Sequence, residues 1–287
     1  MAINIRTNIP SLVAQRNLDS SSNRLNTSYE RLSSGLRINR ARDDAAGLSI
    51  AESLKADSLV ATVGIRNASD GISIISIADQ AIGQIANTLG RLAELAQQSA
   101  NGVFANVQRS ALANEFTALT SEIERIALTT KFNGLTLLSG GGQVVFQVGF
   151  DGSSLSQVTY SGVQVTLAAL GLANAGSSNP TYSIIAGSDI EAQSASRNAL
   201  DAVNRAISSV NRNRGQLGAA ESRLEVTISN LQVARENFKA AESRIRDVDV
   251  ASEAAELSRV NILQQAGAAI LAQANQQPQL ALQLLRG

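Results

Sequence analysis

The chain has 287 residues, which is enough for one large or two modest domains. Its 24 Lys and Arg are balanced by 24 Asp and Glu, so a generally basic nucleic-acid binder is disfavoured. There is no His, Cys or Trp. Ser–His–Asp triads, HExxH zinc sites and thiolate nucleophiles are therefore excluded, and we expect no catalytic residue, no metal site and no cofactor.

The start of the chain, MAINIRTNIPSL, lacks the cationic stretch and apolar segment of a secretory signal peptide. No apolar run reaches the roughly 18 residues that a membrane span requires. Taken alone, these two features predict a cytoplasmic protein with no membrane partner.

The N-terminal region is locally basic. Seven arginines face only Asp19 and Glu30 over this stretch, namely Arg6, Arg16, Arg24, Arg31, Arg37, Arg40 and Arg42. Such a segment is typical of contact with acidic lipid, nucleic acid or an acidic partner surface, and equally of a solvated helix face.

Residues 11–130 carry apolar side chains at heptad spacing. The repeats are Leu18, Leu25 and Leu32; Ile75, Ile82 and Leu89; Ala78, Ile85 and Leu92; and Leu112, Phe116, Leu119, Ile123 and Ile126. These narrow stripes predict helices that pack along their length. Turn-forming residues interrupt the pattern at 33–47 and at Asn101-Gly102.

Residues 134–187 differ in character. They are rich in Gly and contain the alternating runs QVVFQV, QVTY and VQVTL, separated by FDGSS and YSG. Alternation between Gly-containing turns predicts β-hairpins. The segment is too small for an independent domain, so we expect strands that pack on the helices.

Helical signals return at Ser188-Asp189, which predicts an N-cap. The next heptad series is Leu217, Leu224, Leu231, Phe238 and Ile245, with partners Ala220, Thr227, Ala234, Ala241 and Val248. Small partner residues favour a multi-helix bundle, and a continuous helix over 189–250 would span on the order of 90 Å. The period breaks again at 246–255, and we expect this break to lie beside the one at 33–47.

The C-terminal stretch 260–285 contains no charged residue. Its apolar residues surround the helix instead of forming one stripe, which is typical of a helix buried on several sides. One partner helix cannot cover roughly ten Leu, Ile and Val side chains, so the pattern predicts an oligomerisation surface. A disordered tail and a membrane-surface helix are the alternatives, although the latter usually carries Lys or Arg on its polar face.

The predicted fold is mainly α: an elongated multi-helix coiled-coil bundle with a small β-hairpin insert and paired terminal helices. Residues 1–42 and 251–287 are predicted to form the terminal helical pair. Residues 43–250 are predicted to form the helical bundle with its insert near 134–187, with no additional outer domain.

The termini and the flanks of the insert resemble bacterial flagellins. The N-terminal motifs are INIRTNIPSLVAQRNLD, ERLSSGLRINRARDDAAGLSIAE, NASDGISIISIADQAIGQIANTLGRLAELAQQSAN and TTKFNGLTLL. The C-terminal motifs are RGQLGAAESRLEVTISNL, AAESRIRDVDVASE and ILQQAGAAILAQANQQPQLALQLLR. Together these motifs cover about 2–140 and 188–286, and the short middle resembles a minimal flagellin with inner core domains only.

The resemblance implies a structural subunit that polymerises into an extracellular flagellar filament for swimming motility. It implies export in the unfolded state through the flagellar type III apparatus. The implied partners are further copies of the chain, other flagellins, the export apparatus, an export chaperone, and the filament cap and hook-junction proteins. In the family, a vertebrate Toll-like receptor recognises the segment that corresponds to LGRLAELAQQ in this chain.

Several residues acquire expected roles from this comparison. Subunit contacts are expected at Leu18, Leu25, Leu32, Leu263, Ile270 and Leu271. A connector between inner tube and outer layer is expected at Arg31, Gly35, Arg42, Asp43 and Asp44. The receptor segment corresponds to Arg91, Glu94 and Leu95, but Gly90 and Ala93 stand where the family has larger polar residues, which argues against receptor activation.

Three alternative functions stay open at this point. A hook–filament junction protein shares the terminal architecture. An enzyme is disfavoured, because flagellins with a metalloprotease domain need His and a longer middle. A cytosolic coiled-coil scaffold would share the heptads and differ in location.

Overall fold

The structure, a computed structural model, describes residues 7–140, 142–174 and 177–286, with 278–286 described as backbone only. Most of the described residues are helical. The α-helices are α1 (Ile9–Ser34), α2 (Ala45–Ser99), α3 (Asn106–Thr129), α4 (Asp189–Arg246) and α5 (Val250–Arg286). Between α3 and α4 lie the strands β1 (Lys131–Phe132), β2 (Leu135–Thr136), β3 (Val144–Gln147) and β4 (Gln157–Tyr160). The predicted mainly helical fold with a small β-hairpin insert is confirmed.

The predicted helix boundaries follow from capping residues. Asn8 caps α1 by accepting a hydrogen bond from the Ser11 N–H at 3.1 Å. Gly35 ends α1 with φ +72°, a left-handed conformation that glycine adopts without steric cost. Asp44 opens α2, because its Oδ1 accepts the Gly47 N–H at 2.8 Å. The irregular segment between these caps matches the break predicted at 33–47.

The two breaks lie side by side, as predicted. The Arg37 N–H donates to the Arg246 carbonyl at 2.6 Å, and the Val248 N–H donates to the Gly35 carbonyl at 3.0 Å. These hydrogen bonds join the α1–α2 connection to the α4–α5 connection. Backbone groups that leave the helices therefore satisfy each other.

The predicted length of the second break was wrong. It was placed at 246–255, but α4 ends at Arg246 and α5 begins at Val250. Asp249 restarts the helix at once, since its Oδ1 accepts the N–H groups of Ala251 at 3.0 Å and Ser252 at 3.2 Å.

The chain forms two compact units. The terminal unit comprises Met1–Ser58 and Glu236–Gly287, and the central unit comprises Leu59–Arg235. The functional division at 42/43 and 250/251 stays a prediction.

The core of the central unit is a ladder of aliphatic side chains. The heptad residues Ile75, Ala78, Ile82, Ile85, Leu89 and Leu92 are all 0–1% exposed. They belong to one hydrophobic cluster with Phe116 and Ile123 of α3 and with Leu217 and Leu224 of α4. The heptad pattern therefore identified the core correctly.

The β3–β4 hairpin packs on α2 through two glycines. Phe146 pairs with Val158 in this antiparallel hairpin, and both are buried in the central cluster. A Cβ on Gly64 would lie 2.7 Å from the Val148 carbonyl oxygen, and one on Gly71 would lie 3.3 Å from the Phe146 ring. Glycine at these positions allows the strand backbone to approach the helix closely.

The third alternating run is not a strand. Within VQVTL, Val163, Val165 and Leu167 are buried in the cluster, while Gln164 forms an isolated bridge with Ser139. The run alternates because its apolar side chains are buried in the core, although it does not form a strand ladder with another segment. A further hairpin, β1–β2, turns at Asn133-Gly134, where both residues have positive φ.

Candidate subunit interface

Helices α1 and α5 of the terminal unit pair in antiparallel orientation. Near the start of α1, the Asn8 Nδ2 donates to the Ala274 carbonyl at 2.8 Å. Further along α1, Arg24 Nη2 lies 2.5 Å from Glu256 Oε1. Early residues of α1 therefore meet late residues of α5, which confirms the paired terminal helices.

Only a narrow strip of side chains is fully buried between α1 and α5. Ala14 of α1 and Val260 and Ala274 of α5 are 7%, 0% and 7% exposed. Leu18 lies over Gly267, where an added Cβ would be 3.4 Å from Leu18 Cδ1. The leucines in or beside this seam are only half-buried: Leu18, Leu25, Leu32 and Leu271.

Polar contacts fill the rest of the seam. Ser28 is 3% exposed and donates to Glu253 Oε1 at 2.5 Å. Glu253 Oε2 also lies 3.6 Å from Arg31 Nη1. Gln264 Nε2 donates to Ser22 Oγ at 3.3 Å. Pairs of this kind fix the register of two helices because a shift would leave buried polar atoms unpaired.

The basic N-terminal segment finds its acidic partner within the same chain. Arg24 and Arg31 pair with Glu256 and Glu253 of α5, and Arg40 Nε lies 2.7 Å from Glu30 Oε1. These three of the seven arginines thus meet carboxylates of the same chain, while Arg16 is exposed and Arg6 lies outside the described residues. Hydrogen bonds from Arg259 and Arg24, with Arg259 the larger cause, hold the pKa of the Glu256 carboxyl below its usual value.

The outer face of the pair is aliphatic. Ile262, Leu263 and Ile270 of α5 are 66%, 46% and 59% exposed, and Ile9 and Leu12 of α1 are 55% and 50% exposed. No charged residue lies between Arg259 and Gln277 on α5. We call these five side chains the outer face.

The six expected subunit-contact residues thus divide into two groups. Leu263 and Ile270 lie on the outer face, where a neighbouring molecule can reach them. The other four are the half-buried leucines of the seam, which α1 and α5 cover in part within one chain.

The expected connector is a folded turn. Asp43 Oδ2 accepts the N–H groups of Arg40 at 3.0 Å and Asn39 at 3.2 Å, and the Arg40 bond is the main reason that the pKa of Asp43 is lowered. Arg42 is 66% exposed and lies 3.8 Å from Asp43. The charged part of Arg42 therefore stays available at the surface.

Asp44 and Gly47 pack this turn against the buried side chain of Ile38. Ile38 is 1% exposed. A Cβ on Gly47 would lie 2.3 Å from Asp44 Oδ2 and 2.9 Å from Ile38 Cδ1. Glycine is therefore required at 47 for Asp44 to cap α2 above Ile38.

Two family models match the chain. The bacterial flagellin N-terminal helical region matches residues 5–143, and the bacterial flagellin C-terminal helical region matches residues 200–285. The chain belongs to the bacterial flagellin family. It is similar to the flagellin of Halalkalibacterium halodurans, with 44% identity over 98% of this chain and 99% of that protein.

Other relatives are longer than this flagellin-family chain. Polar flagellin F of Vibrio parahaemolyticus is 50% identical over 52% of this chain, a match that covers 40% of the Vibrio protein. The fold also resembles a solved structure from Vibrio parahaemolyticus that is described as a flagellar hook-associated protein, with TM-score 0.57, 13% identity and coverage of 71% of this chain and 100% of that one.

Family membership establishes the general role. Flagellins are structural proteins that assemble into the flagellar filament, which is extracellular, so the chain is a flagellar filament structural subunit. Among the described residues, no helix is long and apolar enough to cross a membrane, and no cluster of three or more His, Cys, Asp or Glu could hold a metal ion.

The segment expected to correspond to a receptor epitope is only partly at the surface. Arg91 and Glu94 are exposed, but Leu95 is 0% exposed in the central core. Arg91 forms 2.9 Å contacts with both Glu94 and Glu115, and the Glu115 hydrogen bond is the main reason that its pKa is raised. The exposed part of this segment is thus an ion-pair network.

Sequence reasoning missed two sets of residues. Glu253 and Glu256 were not recognised as partners of the N-terminal arginines, although their spacing of three on α5 is a signal for one helix face. Arg109 is fully buried, and nothing in its polar sequence surroundings predicts this.

Proposed function

We propose that the outer face of the α1–α5 pair is the surface through which copies of this chain polymerise. The observation that carries this proposal is the exposure of Ile262, Leu263 and Ile270 on the part of α5 that follows its last charged residue before Arg286, Arg259. Contiguous exposed apolar patches mark interaction sites on soluble proteins.

The free energy of burying apolar side chains favours assembled copies over a single chain with an isolated α1–α5 pair. Burying one Leu or Ile side chain completely contributes about 1.5–3 kcal/mol. The outer-face residues keep 46–66% of their surface in water, and the seam leucines are only half-buried. Part of the burial energy available to these side chains is therefore gained only when neighbouring copies cover them.

The connector completes this proposal. Arg31, Gly35, Arg42, Asp43 and Asp44 are proposed to link an inner tube of terminal pairs to the outer layer of bundles. The exposed guanidinium of Arg42 is available for an ion pair with a neighbouring subunit.

Export of the unfolded chain through the flagellar type III apparatus is proposed from the family resemblance, as are contacts with an export chaperone and with the cap and hook-junction proteins. Both ends of the chain lie in one folded unit, so the terminal pair forms only after both have emerged. Cells lacking the type III apparatus should retain the chain. Its appearance outside such cells would contradict this export route.

Deletion of residues after Gln265 tests the role of α5. The central unit should keep its melting temperature, because its core lies within Leu59–Arg235. Seeded polymerisation followed by light scattering should be abolished. Filaments of normal length from the truncated chain would show that the terminal pair is not the polymerisation surface.

A matched pair of substitutions tests the outer face itself. Ile270→Asn exposes an amide at a 59% exposed position and should leave the monomer folded while it weakens elongation. Ile270→Val keeps an apolar side chain and should elongate almost normally. Equal elongation by the two variants would overturn the proposal.

The same assay separates a filament subunit from a hook–filament junction protein. A filament subunit adds repeatedly to a seed, so filament length grows with the monomer supplied. A junction protein adds once and stops. Growth limited to a terminal layer in electron micrographs would support the junction role.

A further inference from the structure

The sequence contains two Asn-Gly dipeptides, Asn101-Gly102 and Asn133-Gly134. In such a pair the main-chain nitrogen of the glycine can attack the side-chain amide carbon of the asparagine, because glycine has no Cβ to hinder the approach. All four residues are exposed. Sequence and exposure therefore make the two pairs equivalent, and a difference in reactivity has to come from the conformation of each turn.

The pair Asn133-Gly134 is held in a tight hairpin turn. The two residues have φ +47° and +82° and connect the antiparallel strands β1 and β2. Beyond the strand ladder, the Leu137 N–H donates to the Thr130 carbonyl at 3.1 Å. Attack requires the peptide group between the asparagine and the glycine to rotate toward the side chain. Hydrogen bonds between the two strands oppose this rotation at Asn133.

The pair Asn101-Gly102 lies in the turn between the end of α2 at Ser99 and the start of α3 at Asn106. The Asn101 Oδ1 accepts the Val103 N–H at 3.2 Å, so the side-chain amide lies along the main chain of the next two residues. A hydrogen bond to the amide oxygen also stabilises the negative charge that develops on that oxygen when the amide carbon is attacked. The conformation of this turn therefore favours reaction at Asn101.

We propose that Asn101 is a site of spontaneous deamidation and isomerisation, with water as the only co-reactant. The Gly102 nitrogen loses its proton and bonds to the Asn101 Cγ. The bond from Cγ to Nδ2 breaks, and the Nδ2 group takes up a proton and leaves as ammonia. Water then opens the resulting five-membered succinimide. Cleavage between Cγ and the Gly102 nitrogen gives aspartate, and cleavage between the main-chain carbonyl carbon and that nitrogen gives isoaspartate.

The reaction places a negative charge in a turn that binds a buried guanidinium. Arg109 has a side chain that is 0% exposed, and its Nη2 donates to the Asn101 carbonyl at 3.0 Å. The nearest carboxylate oxygen among the described residues is Asp189 Oδ1, 3.5 Å from Arg109 on a side chain that is 57% exposed. Aspartate at position 101 leaves the main chain unchanged. Isoaspartate lengthens the main chain by one carbon and displaces the carbonyl that Arg109 binds.

Incubation of the full-length monomer at neutral pH, folded and in urea, tests the proposal. Peptide mapping by mass spectrometry detects the replacement of an amide by a carboxyl group. Isoaspartyl methyltransferase labels the isoaspartate product with a methyl group from S-adenosylmethionine. In the folded chain, product should form about tenfold faster at Asn101 than at Asn133, which corresponds to about 1.4 kcal/mol in the activation free energy. In urea both turns are lost, so the two rates should be similar.

Two substitutions in the turn provide the matched comparison. In Gly102→Ala the added Cβ would lie 3.2 Å from Gln193 Nε2, the end of a flexible side chain that can move aside. This variant should fold, and its Cβ should slow the reaction at Asn101 at least tenfold, or by about 1.4 kcal/mol. Val103→Ala, at an 85% exposed position, keeps the main-chain N–H that donates to Asn101 and should react normally.

Equal rates at the two asparagines of the folded chain would overturn the inference, as would faster reaction at Asn133. The same preference for Asn101 in urea would also overturn it, because flanking residues and not conformation would then be the cause. An unchanged rate in Gly102→Ala would exclude attack by the Gly102 nitrogen. None of these outcomes depends on filament formation, so the inference and the proposed function are tested separately.

Discussion

The two compact units bury their helices in different ways. In the central unit, Ile82, Ile85 and Leu89 are 0% exposed within one chain. In the terminal unit, Ile262 and Ile270 keep 66% and 59% of their surface in water. The heptad-spaced Leu18, Leu25 and Leu32 of the terminal unit are likewise only half-buried, whereas the heptad residues of the central ladder are enclosed by α3, α4 and the hairpin.

This difference shows how one chain can hold a self-sufficient core and an assembly surface. The central core gains its hydrophobic energy on folding, whereas in the proposed assembly the terminal pair gains part of its energy when copies meet. Polar contacts such as Ser28 with Glu253 preset the register of the terminal pair without covering its outer face. Variants that affect one unit and spare the other test this contrast.

The largest effect is expected from leucine truncation. Leu89→Ala should lower the free energy of unfolding by about 2–5 kcal/mol, because it leaves a cavity in a fully buried core. Leu263→Ala removes a 46% exposed side chain and should lower the free energy of unfolding by about 0.5–1 kcal/mol at most. Urea unfolding followed by circular dichroism measures both. Equal losses would show that the two units do not differ in burial.

Next in size is the close contact between α2 and the hairpin. Gly64→Ala places a Cβ 2.7 Å from the Val148 carbonyl oxygen and should destabilise the central unit by about 1–3 kcal/mol. Gly83→Ala meets no atom within 4 Å and should instead stabilise α2 by up to about 1 kcal/mol. Thermal unfolding of the two variants gives the comparison, and a destabilised Gly83→Ala would contradict it.

A smaller effect on the monomer is expected at adjacent positions of α5. Leu271→Asp puts a charge at a half-buried seam position and should open the α1–α5 pair, seen as faster hydrogen exchange in α1. Ile270→Asp lies on the outer face and should leave that exchange unchanged. Both should prevent polymerisation, so normal filaments from Leu271→Asp would mean that this position faces solvent in the filament.

The smallest effect is a pH dependence of the terminal unit. The carboxyls of Glu256 and Asp43 have lowered pKa values, with Arg259 and the Arg40 N–H as the respective main causes. Their contribution is complete above the ordinary carboxyl pKa of about 4 and is lost as the pH falls through the lower folded values. Hydrogen exchange in α1 should accelerate below about pH 4. Glu256→Gln should reduce this dependence, and an unchanged acid response would show that other groups cause it.

Several features were readable from the sequence because they depend on local spacing. The heptads over Ile75–Leu92 predicted the buried ladder, Gly35 and Asp44 lie where the break at 33–47 was expected, and QVVFQV with QVTY predicted the β3–β4 hairpin. Periodicity and capping act within one element, so no knowledge of its neighbours is needed.

Other features depend on which elements meet. VQVTL alternates like a strand, yet its valines are buried without a ladder. Leu95 looks like part of a surface segment and lies in the core. In both cases the apolar pattern is correct, and the neighbour that covers it is supplied by another part of the chain.

The sequence by itself determined that the chain is mainly helical and that two breaks lie beside each other, and it predicted that the uncharged stretch 260–285 is an oligomerisation surface. Its terminal motifs also determined the family. The tertiary structure alone decided that Glu253 and Glu256 neutralise N-terminal arginines, that Leu271 faces the seam while Ile270 faces outward, and that Arg109 is buried. The physical reason is that capping and periodicity are local, whereas burial and ion pairing depend on residues far apart in the chain.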